Sequence, residues 1–340
     1  MKTRDDRKFV SLKRNKRQIL RTLIKDVNID NVDIEHGKVV AQEGRNYVIE
    51  SVENEKNFVE CVISGTVASE NFDSTILVVG DSVSFKRDGL SKSTNLDSGK
   101  ILSIEKRKSF LSRKDVIKPK EDIIAANIDK LIIFCSAAEP FYNTRLIDRY
   151  LVAAEIGSIE PVICVNKIDL VDFEEVQEDL EMYSKLGIKI FYISALNKLN
   201  LDDFLSYINK SSCVLSGQSG CGKSTLINSI FGKKLQKIND VSEKWSKGMH
   251  TTSSIKLFKF DEGGEIIDTP GLREFAVWGV EPEELYLYFH DFDEFSDKCR
   301  YVRCTHIHEP DCAVLDAVEN ELIDFRRYES YLNIYNTLLK

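Results

Sequence analysis

A glycine-rich segment of the chain, residues 217–224, has the composition of a loop that binds phosphate groups. It follows the apolar run Cys213–Ser216 and precedes residues that favour a helix, which is the context this motif requires. Glycines there let backbone N–H groups surround a phosphate at a helix N-terminus. We expect Lys223 to reach the β- and γ-phosphates and the Ser224 hydroxyl to bind Mg²⁺. The predicted contacts of the loop with the nucleotide are Gly217, Gln218, Ser219, Gly220, Cys221, Gly222, Lys223, Ser224 and Thr225.

A second segment, Asn166-Lys167-Ile168-Asp169, carries side chains that can distinguish guanine from adenine. Guanine presents N1–H and an exocyclic amine, two donors that one carboxylate accepts together, and adenine presents no such pair. We expect Asp169 to accept both donors, Asn166 to meet the O6/N7 edge and the stem of Lys167 to cover the ring. Ser194-Ala195 ends another predicted strand and matches the loop whose backbone amide contacts guanine O6 in GTPases. Because a lone Asn-Lys-x-Asp also forms ordinary turns, the prediction depends on these segments together.

Two further segments are expected to respond to the γ-phosphate. Asp268 ends a predicted strand, and we expect it to hold Mg²⁺ through water while the N–H of Gly271 meets the γ-phosphate. Upstream, residues 248–252 lie between the phosphate loop and a predicted hairpin, where a first switch loop belongs. Thr251 or Thr252 would complete the Mg²⁺ shell there. The alternative is that this pair of threonines is only polar loop sequence.

The residue after Gly271 is Leu272, at a position where many GTPases have a Gln that orients the attacking water. A Leu side chain neither donates nor accepts a hydrogen bond, so hydrolysis needs another group to hold the water. His250, beside the threonine pair, is the nearest candidate in sequence and is the predicted catalytic residue. The alternative is a surface histidine without a catalytic role.

Three cysteines and a histidine near the C-terminus have the spacing of a structural zinc site. The pattern is Cys299-x₄-Cys304-x-His306-x₅-Cys312. Three thiolates and one imidazole complete a tetrahedral Zn²⁺ shell and leave no open position for catalysis. His308 is an alternative nitrogen ligand, and unrelated buried cysteines are the other interpretation. Basic residues surround the cluster and would present positive charge: Lys298, Arg300 and Arg303.

The elements that position these residues fall into two patterns. From Gly37 to Lys108, short alternating strands with glycine turns predict a small β-barrel, with strands at Gly37–Ala41, Tyr47–Glu50, Phe58–Ile63 and Thr75–Val79. The basic segment Glu105–Lys114 has the composition of a linker. Beyond it, continuous apolar runs at Lys130–Cys135, Pro161–Val165, Cys213–Ser216 and Glu265–Ile267 predict strands of a parallel sheet buried on both faces. A hairpin over 254–267 and a C-terminal helical stretch from Val314 to Leu339 complete the pattern.

Composition limits the class of protein. With 42% hydrophobic and 30% charged residues over 340 positions, the chain is expected to be a soluble protein of two or three domains. It has no apolar run of the roughly 18 residues that a membrane helix needs and no apolar N-terminal signal, so we expect a cytoplasmic location. Residues 1–25 carry a balance of +8 in a chain of net charge −8, which leaves −16 for the rest. Such an arm either binds nucleic acid or is a solvated tail.

The order of the motifs is unusual, because the guanine-reading segment precedes the phosphate loop, as in a circular permutation. With all of these segments the chain closely resembles ribosome small subunit-dependent GTPase A, a bacterial family of circularly permuted GTPases that act in maturing the small (30S) ribosomal subunit. The resemblance covers roughly residues 37 to 332 and also includes Val79–Val83, Ala125–Asp129, Leu146–Leu151, Asp268–Phe275 and Arg327–Tyr331.

The resemblance implies an α/β P-loop GTPase fold, circularly permuted, with an N-terminal OB-type β-barrel and a C-terminal zinc-binding, mostly helical domain that together grip ribosomal RNA. We expect a basic extension over 1–36, the barrel over 37–110, the GTPase domain over 111–278 and the zinc domain over 279–340. The implied activity is GTP hydrolysis stimulated by the small subunit during its late maturation. Expected cofactors are one structural Zn²⁺ per chain and Mg²⁺ with GTP. Expected partners are the subunit, its RNA, GTP and GDP, with no membrane and a monomeric chain.

The chain departs from the family in its first switch, which reads Gly-Arg-His-Thr-Thr-Thr in the family and has Met249 and Ser253 here. A charge contact to phosphate or RNA is therefore in question. Two other classes of protein are alternatives. A GTP-regulated, ribosomal RNA-binding protein with negligible turnover agrees with Leu272. A small-molecule kinase of the P-loop type is disfavoured by Asn166–Asp169 and by the lack of a second substrate motif.

Overall fold

Alternating apolar and polar residues build a closed five-stranded barrel near the start of the described chain. The computed structural model describes residues 33–53, 58–64, 77–91, 96–115, 120–232, 255–269 and 275–339. The barrel strands are β1 (Glu35–Glu43), β2 (Asn46–Ser51), β3 (Phe58–Ile63), β4 (Ser82–Leu90) and β5 (Asp97–Ile104). They close in the order β1-β2-β3-β5-β4, with β3 and β5 parallel. The predicted OB-type barrel is confirmed.

The strand predicted at Thr75–Val79 is wrong for its described part. Leu77, Val78 and Val79 are buried, yet they precede a turn rather than forming a strand. Their segment forms backbone hydrogen bonds on both sides: the N–H of Gly80 donates to Val39 O at 2.9 Å and the N–H of Ala126 to Val79 O at 3.1 Å. A Cβ on Gly80 would lie 2.0 Å from Ala126 O. The segment is therefore an apolar plug between the barrel and the next unit.

The segment Glu105–Lys114, expected to be a linker, contains a strand. β6 (Phe110–Lys114) pairs antiparallel with β7 (Glu121–Ala126). Phe110 and Leu111 are buried, and Arg113 Nε donates to Asp122 Oδ2 across the hairpin at 3.0 Å. The basic composition concealed a strand because the two charged residues of β6, Arg113 and Lys114, lie at its C-terminal end, where Arg113 is paired.

The central sheet contains six strands in the order β10-β9-β8-β11-β13-β12, all parallel except β12. They are β8 (Lys130–Ser136), β9 (Glu160–Asn166), β10 (Lys189–Tyr192), β11 (Ser212–Ser216), β12 (Lys256–Lys259) and β13 (Glu265–Asp268). The helices are α1 (Thr144–Gly157), α2 (Phe173–Asp179), α3 (Glu181–Lys185), α4 (Leu201–Ile208) and α5, over residues 223–232. The predicted α/β core is confirmed. Strand order reverses between β8 and β11, where α/β sheets bind their ligands.

The C-terminal part is built from short helices around an aromatic core. Three 3₁₀ helices (Pro282–Tyr288, His290–Phe292 and Ser296–Lys298) precede α6 (Ala313–Glu319) and α7 (Phe325–Leu338). The helix predicted from Val314 to Leu339 is thus two helices. Glu321 has φ 59°, and the Asp324 side chain caps α7 by accepting from Arg326 N–H. The left-handed residue ends the first helix, and the aspartate starts the second.

The three units contact one another through charged pairs. Between the barrel and the sheet, Lys38 Nζ bonds to Glu265 Oε1 and Lys259 Nζ to Glu50 Oε2. On the other side, α7 packs against α1, with Arg145 Nη2 donating to Glu329 Oε1 at 2.7 Å. Among the helices in the described ranges, none is long and apolar enough to cross a membrane.

Candidate functional site

The phosphate-loop segment lies at the carboxyl end of β11, beside the carboxyl end of β8. Two of its glycines are required by close packing. A Cβ on Gly217 would lie 1.8 Å from Phe134 O, and one on Gly222, whose φ is 101°, would lie 2.4 Å from Asn166 Nδ2. Glycine is therefore the residue that lets the loop approach β8 and the base-reading segment at once.

The remaining loop residues divide into a buried and an exposed group. Ser219, Gly220 and Ser224 are exposed, and Thr225 is half-buried in the first turn of α5. Lys223 Nζ donates to Gly217 O at 2.7 Å and to Gln218 O at 2.8 Å. The ammonium group is thus held at the mouth of the loop by carbonyl oxygens, which phosphate oxygens can replace.

Cys221 has a buried thiol within the phosphate loop. It is fully buried, and its Sγ lies 2.9 Å from Gln218 O as a donor. Burial raises the pKa of its thiol, despite the nearby Lys223 ammonium. The thiol is therefore a packing group that stays protonated, and its backbone is the part of the residue available to a nucleotide.

Asn166 connects the base-reading segment to two other loops. Its side chain is 3% exposed. Its Nδ2 donates to Cys221 O at 2.9 Å, and its Oδ1 accepts from the N–H of Ala195 at 2.9 Å. The sequence predicts contact between Asn166 and the guanine edge. In the structure the amide also fixes the spacing between the phosphate loop and the Ser194-Ala195 loop, so the segments predicted to contact base and phosphates share one frame.

Lys167 and Asp169 flank the buried Ile168 at the rim of this frame. Lys167 is in the left-handed region with φ 65°, and its Nζ donates to Gly220 O at 3.1 Å and also to the carbonyl oxygens of Ala138 and Glu139. Its aliphatic stem is therefore stretched across the space beside the phosphate loop. Asp169 is exposed and accepts from Asn197 Nδ2 at 2.9 Å.

The predicted magnesium ligands are described in part. Asp268 ends β13 opposite Leu215 of β11, so its carboxylate lies at the same edge of the sheet as Ser224 at the start of α5. Carboxylate and hydroxyl oxygens are the hard ligands that Mg²⁺ prefers, and these two fit it. Four other predicted residues lie outside the described residues, in the gaps 233–254 and 270–274: His250, Thr251, Thr252 and Gly271.

A buried polar chain beneath the site was not predicted from the sequence. Thr269 Oγ1 donates to Leu215 O at 3.0 Å, and it lies 3.3 Å from Ser216 Oγ. Ser216 Oγ in turn lies 2.8 Å from Tyr150 Oη, and the Tyr150 ring packs on Phe275 at a centroid distance of 4.5 Å. The two ends of the second switch segment, before and after residues 270–274, are thereby anchored to the strand that carries the phosphate loop.

The predicted zinc ligands converge in the C-terminal unit. The candidate ligand atoms of Cys299, Cys304, His306 and Cys312 all lie within 4.8 Å of one another. Nδ1 of His306 is 3.5 Å from Cys299 Sγ and 3.4 Å from Cys312 Sγ. His308 is exposed and outside the group, so the structure favours His306. Three thiols and an imidazole at these distances fit a tetrahedral metal site.

The backbone around the cluster is held by side chains of α7 and by a carboxylate. Tyr328 Oη donates to His306 O at 2.9 Å and Tyr331 Oη to Thr305 O at 2.6 Å. Glu309 accepts from the Thr305 N–H and hydroxyl at 2.7 and 2.6 Å. Burial opposes ionisation of Glu309, but these hydrogen bonds prevail and lower its pKa to about 2. Burial raises the pKa of Cys304 and Cys312, so thiolates there need a bound cation.

The surface beside the cluster carries part of the predicted positive charge. Arg300 Nη1 pairs with Asp311 Oδ2 at 2.7 Å, and both side chains are exposed. Arg303 is exposed, as are Tyr301 and Val302. This strip thus combines basic, aromatic and apolar side chains in the Cys299–Cys304 interval.

Comparison with known proteins finds relatives over most of the chain. A sequence profile of the RsgA GTPase family matches residues 104–278. The small ribosomal subunit biogenesis GTPase RsgA of Chlorobaculum parvum is 39% identical over 307 residues, covering 89% of this chain and 97% of that protein. Its namesake in Haemophilus influenzae is 36% identical over 294 residues, covering 84% and 81%.

Solved structures show the same architecture. YjeQ from Thermotoga maritima superimposes with a TM-score of 0.68 at 31% identity, covering 90% of this chain and 99% of that one. YloQ, a circularly permuted GTPase, superimposes with a TM-score of 0.64 at 27% identity, covering 92% and 98%. Both likenesses extend over the barrel, the central sheet and the C-terminal unit.

Proposed function

The chain belongs to the RsgA GTPase family, and we propose from this membership and its site that it is a GTP hydrolase that binds the small ribosomal subunit and acts in its late maturation. The relatives are named for small ribosomal subunit biogenesis. The GTPase class follows from the family. The stage of maturation and the stimulation of turnover by the subunit are the finer parts of the proposal.

One observation carries the proposal: Asn166 joins the base-reading segment, the phosphate loop and the Ser194-Ala195 loop through two hydrogen bonds of 2.9 Å. A residue that only capped a turn would not link three loops from distant parts of the chain. The linkage sets the distance between base and phosphates, which a nucleotide fixes by its covalent structure. Asp169 at the rim supplies the carboxylate that selects guanine.

The chain's own groups then divide the work of hydrolysis. Lys223 would exchange its carbonyl partners for the β- and γ-phosphates and balance charge on the leaving phosphate. Mg²⁺, held by Ser224 and Asp268 with Thr251 or Thr252, would neutralise charge shared by the same phosphates. The backbone of Gly271 would meet the γ-phosphate. His250 would hold the attacking water, because Leu272 cannot.

The C-terminal cluster would hold one structural Zn²⁺ per chain through Cys299, Cys304, His306 and Cys312. Its role is to fold the loop that carries Arg300, Tyr301 and Arg303 and to fix that loop against α7 through Tyr328 and Tyr331. We propose that the barrel and this unit grip ribosomal RNA together. The basic residues 1–25, outside the described residues, would either add to that contact or remain solvated.

The circular permutation would connect the nucleotide site to the units that bind RNA. Residues 275–280 run from the core of the GTPase unit, where Phe275 packs on Tyr150, to the core of the C-terminal unit, which includes Val277 and Val280. Arg149 of α1 donates to Phe275 O at 3.2 Å and to Asn333 Oδ1 of α7 at 2.7 Å. Release of the second switch after loss of the γ-phosphate would therefore act on the start of the C-terminal unit.

The test is GTP turnover of the purified chain with and without purified small ribosomal subunits, with Lys223→Ala as the inactive control. We expect slow turnover alone and faster turnover with the subunit, by a cytoplasmic, monomeric enzyme that binds both GTP and GDP. Leu272 favours a second candidate, a GTP-regulated ribosomal RNA-binding protein with negligible turnover. Binding to the subunit in the presence of GTP with no turnover above that of Lys223→Ala would establish the second candidate and overturn the first.

A further inference from the structure

Asp169, the carboxylate expected to select guanine, has a partner from another loop. Asn197 Nδ2 donates to Asp169 Oδ2 at 2.9 Å. The two residues are 28 positions apart, and both are exposed. Within the described ranges, Asn197 is the one residue that the structure brings into hydrogen-bond contact with this carboxylate. The contact therefore belongs to the rim of the base site and is no part of the surrounding core.

The loop that carries Asn197 is fixed at both ends. Ser194 and Leu199 exchange two backbone hydrogen bonds, each 3.1 Å long, and close the loop. The N–H of Asn197 donates to Ser194 Oγ at 3.1 Å, and Ser194 is buried. The N–H of Ala195 is held by Asn166. Asn197 is thus anchored to the frame that spaces the base and phosphate segments.

The chemistry of guanine recognition gives this contact a purpose. Two parallel hydrogen bonds to N1–H and the exocyclic amine require the plane of the carboxylate to match the plane of the base. The terminal torsion of an aspartate is broad, so an exposed carboxylate without a partner would sample many planes. A bond from Asn197 restricts that torsion, and the carboxylate keeps lone pairs on both oxygens for the base.

We propose that Asn197 is a positioning residue for guanine selectivity, acting by fixing the plane of the Asp169 carboxylate. The inference rests on the proposed GTP-binding function and extends it. Inosine triphosphate is the informative probe, because hypoxanthine keeps N1–H and lacks the exocyclic amine. A carboxylate that is no longer held loses the advantage of the second hydrogen bond, so selectivity for GTP over inosine triphosphate falls.

The experiment measures the dissociation constants of GTP, GDP, inosine triphosphate and ATP by competition with a fluorescent GDP. We expect Asn197→Ala to weaken the binding of GTP and of GDP equally, by about three- to tenfold. This effect is smaller than that of losing a buried hydrogen bond to a charged group, because both side chains are exposed. The affinity for inosine triphosphate should fall by less, and the affinity for ATP should not change. Asn197→Asp, which places a second carboxylate beside Asp169, should weaken GTP more than Asn197→Ala does.

A matched control is Asn200→Gly, directly after the same loop. Asn200 Nδ2 donates to Tyr192 O at 2.9 Å, and its φ of 53° suits glycine. The substitution removes this side-chain hydrogen bond and leaves the bonds of Asn197 and Asp169 in place, so the ratio of GTP to inosine triphosphate affinity should stay native. An unchanged ratio in both Asn197 variants, or an equal fall in Asn200→Gly, would overturn the inference. Equal affinity of the native chain for GTP and ATP would instead overturn the proposed function itself.

Discussion

Replacing Arg327 should destabilise the contact between the GTPase unit and the C-terminal unit, because it breaks a buried ion pair. Arg327 of α7 is 3% exposed and pairs through Nη1 with Asp148 of α1, which is fully buried. Its Nε also donates to Asp291 at 3.0 Å, and Tyr183 Oη donates to Asp148 Oδ1 at 2.9 Å. Removing the guanidinium leaves the Asp148 carboxyl group buried without its cation, which makes its ionised form costly. Breaking such a pair costs about 3–5 kcal/mol. We expect the free energy of unfolding of Arg327→Met to fall by this amount.

The neighbouring residue supplies the control. Arg326 pairs with Asp179 through side chains that are 38% and 39% exposed, and surface pairs of this kind contribute about 0–1 kcal/mol. Arg326→Met therefore removes the same charge from the same helix at a small cost. The double variant Asp148→Asn with Arg327→Met should recover part of the lost stability, because the fully buried carboxylate is gone, while Asp291 still lacks its cation.

The loss should also depend on pH. Burial raises the pKa of Asp148, and Arg327 opposes that rise, so the pKa should climb further in Arg327→Met. A folded-state pKa above the unfolded value means that the folded chain keeps its proton longer. The stability of Arg327→Met, relative to the native chain, should therefore fall as pH rises above about 4, the usual pKa of aspartate.

The assay is urea denaturation followed by the fluorescence of Trp278, which lies in the segment between the two units, in a Trp245→Phe background. Circular dichroism of the same samples reports the remaining helices and strands. Equal losses for Arg327→Met and Arg326→Met, or a loss in Arg327→Met that does not grow with pH, would refute the proposed role of the buried pair.

Three further outcomes are expected. Asp169→Asn should weaken the binding of GTP and strengthen that of xanthosine triphosphate, whose C2 carbonyl matches an amide donor. Nucleotide titrations that show the native preference would contradict this. Metal analysis should find one zinc per chain, lost in Cys304→Ser and retained in His308→Ala; zinc retained in Cys304→Ser would contradict the ligand set. Gly217→Ala, whose Cβ would meet Phe134 O at 1.8 Å, should lower stability by roughly 1–3 kcal/mol and weaken GTP, and native melting and binding would contradict that geometry.

The parallel core was predictable from the sequence because its strands are buried on both faces. Runs such as Lys130–Cys135 and Pro161–Val165 are apolar throughout, and β8 and β9 extend just one residue beyond them at one or both ends. The segments around the barrel were harder to predict. The strand expected at Thr75–Val79 failed because buried apolar residues also form a plug, and β6 was missed because its charges resemble those of a linker. Both segments are buried by tertiary contacts: the first lies between β1 and β7, and β6 packs against β7 and α1.

The candidate site also contains a predictable part and a part that the sequence does not show. The motifs at 166–169 and 217–224 were recognised because each is short and contiguous. The partners that hold them were not recognisable, because hydrogen bonds such as that of Asn197 to Asp169 join loops by tertiary structure. The Arg327–Asp148 pair joins residues 179 positions apart, and no local pattern marks either one as buried. A sequence thus identifies the groups that do chemistry more readily than the groups that position them.

The most direct measurement is GTP turnover of the native chain and of His250→Ala, each with and without purified small ribosomal subunits. The native chain alone should turn over well below ~1 s⁻¹, the low end of typical enzymes, and the subunit should accelerate it. His250→Ala should lose most of the stimulated rate while its GTP affinity stays nearly native, as for a group needed only in the transition state. Equal stimulated rates would remove His250 from the mechanism, and no stimulation of the native chain would contradict a GTPase activated by the subunit.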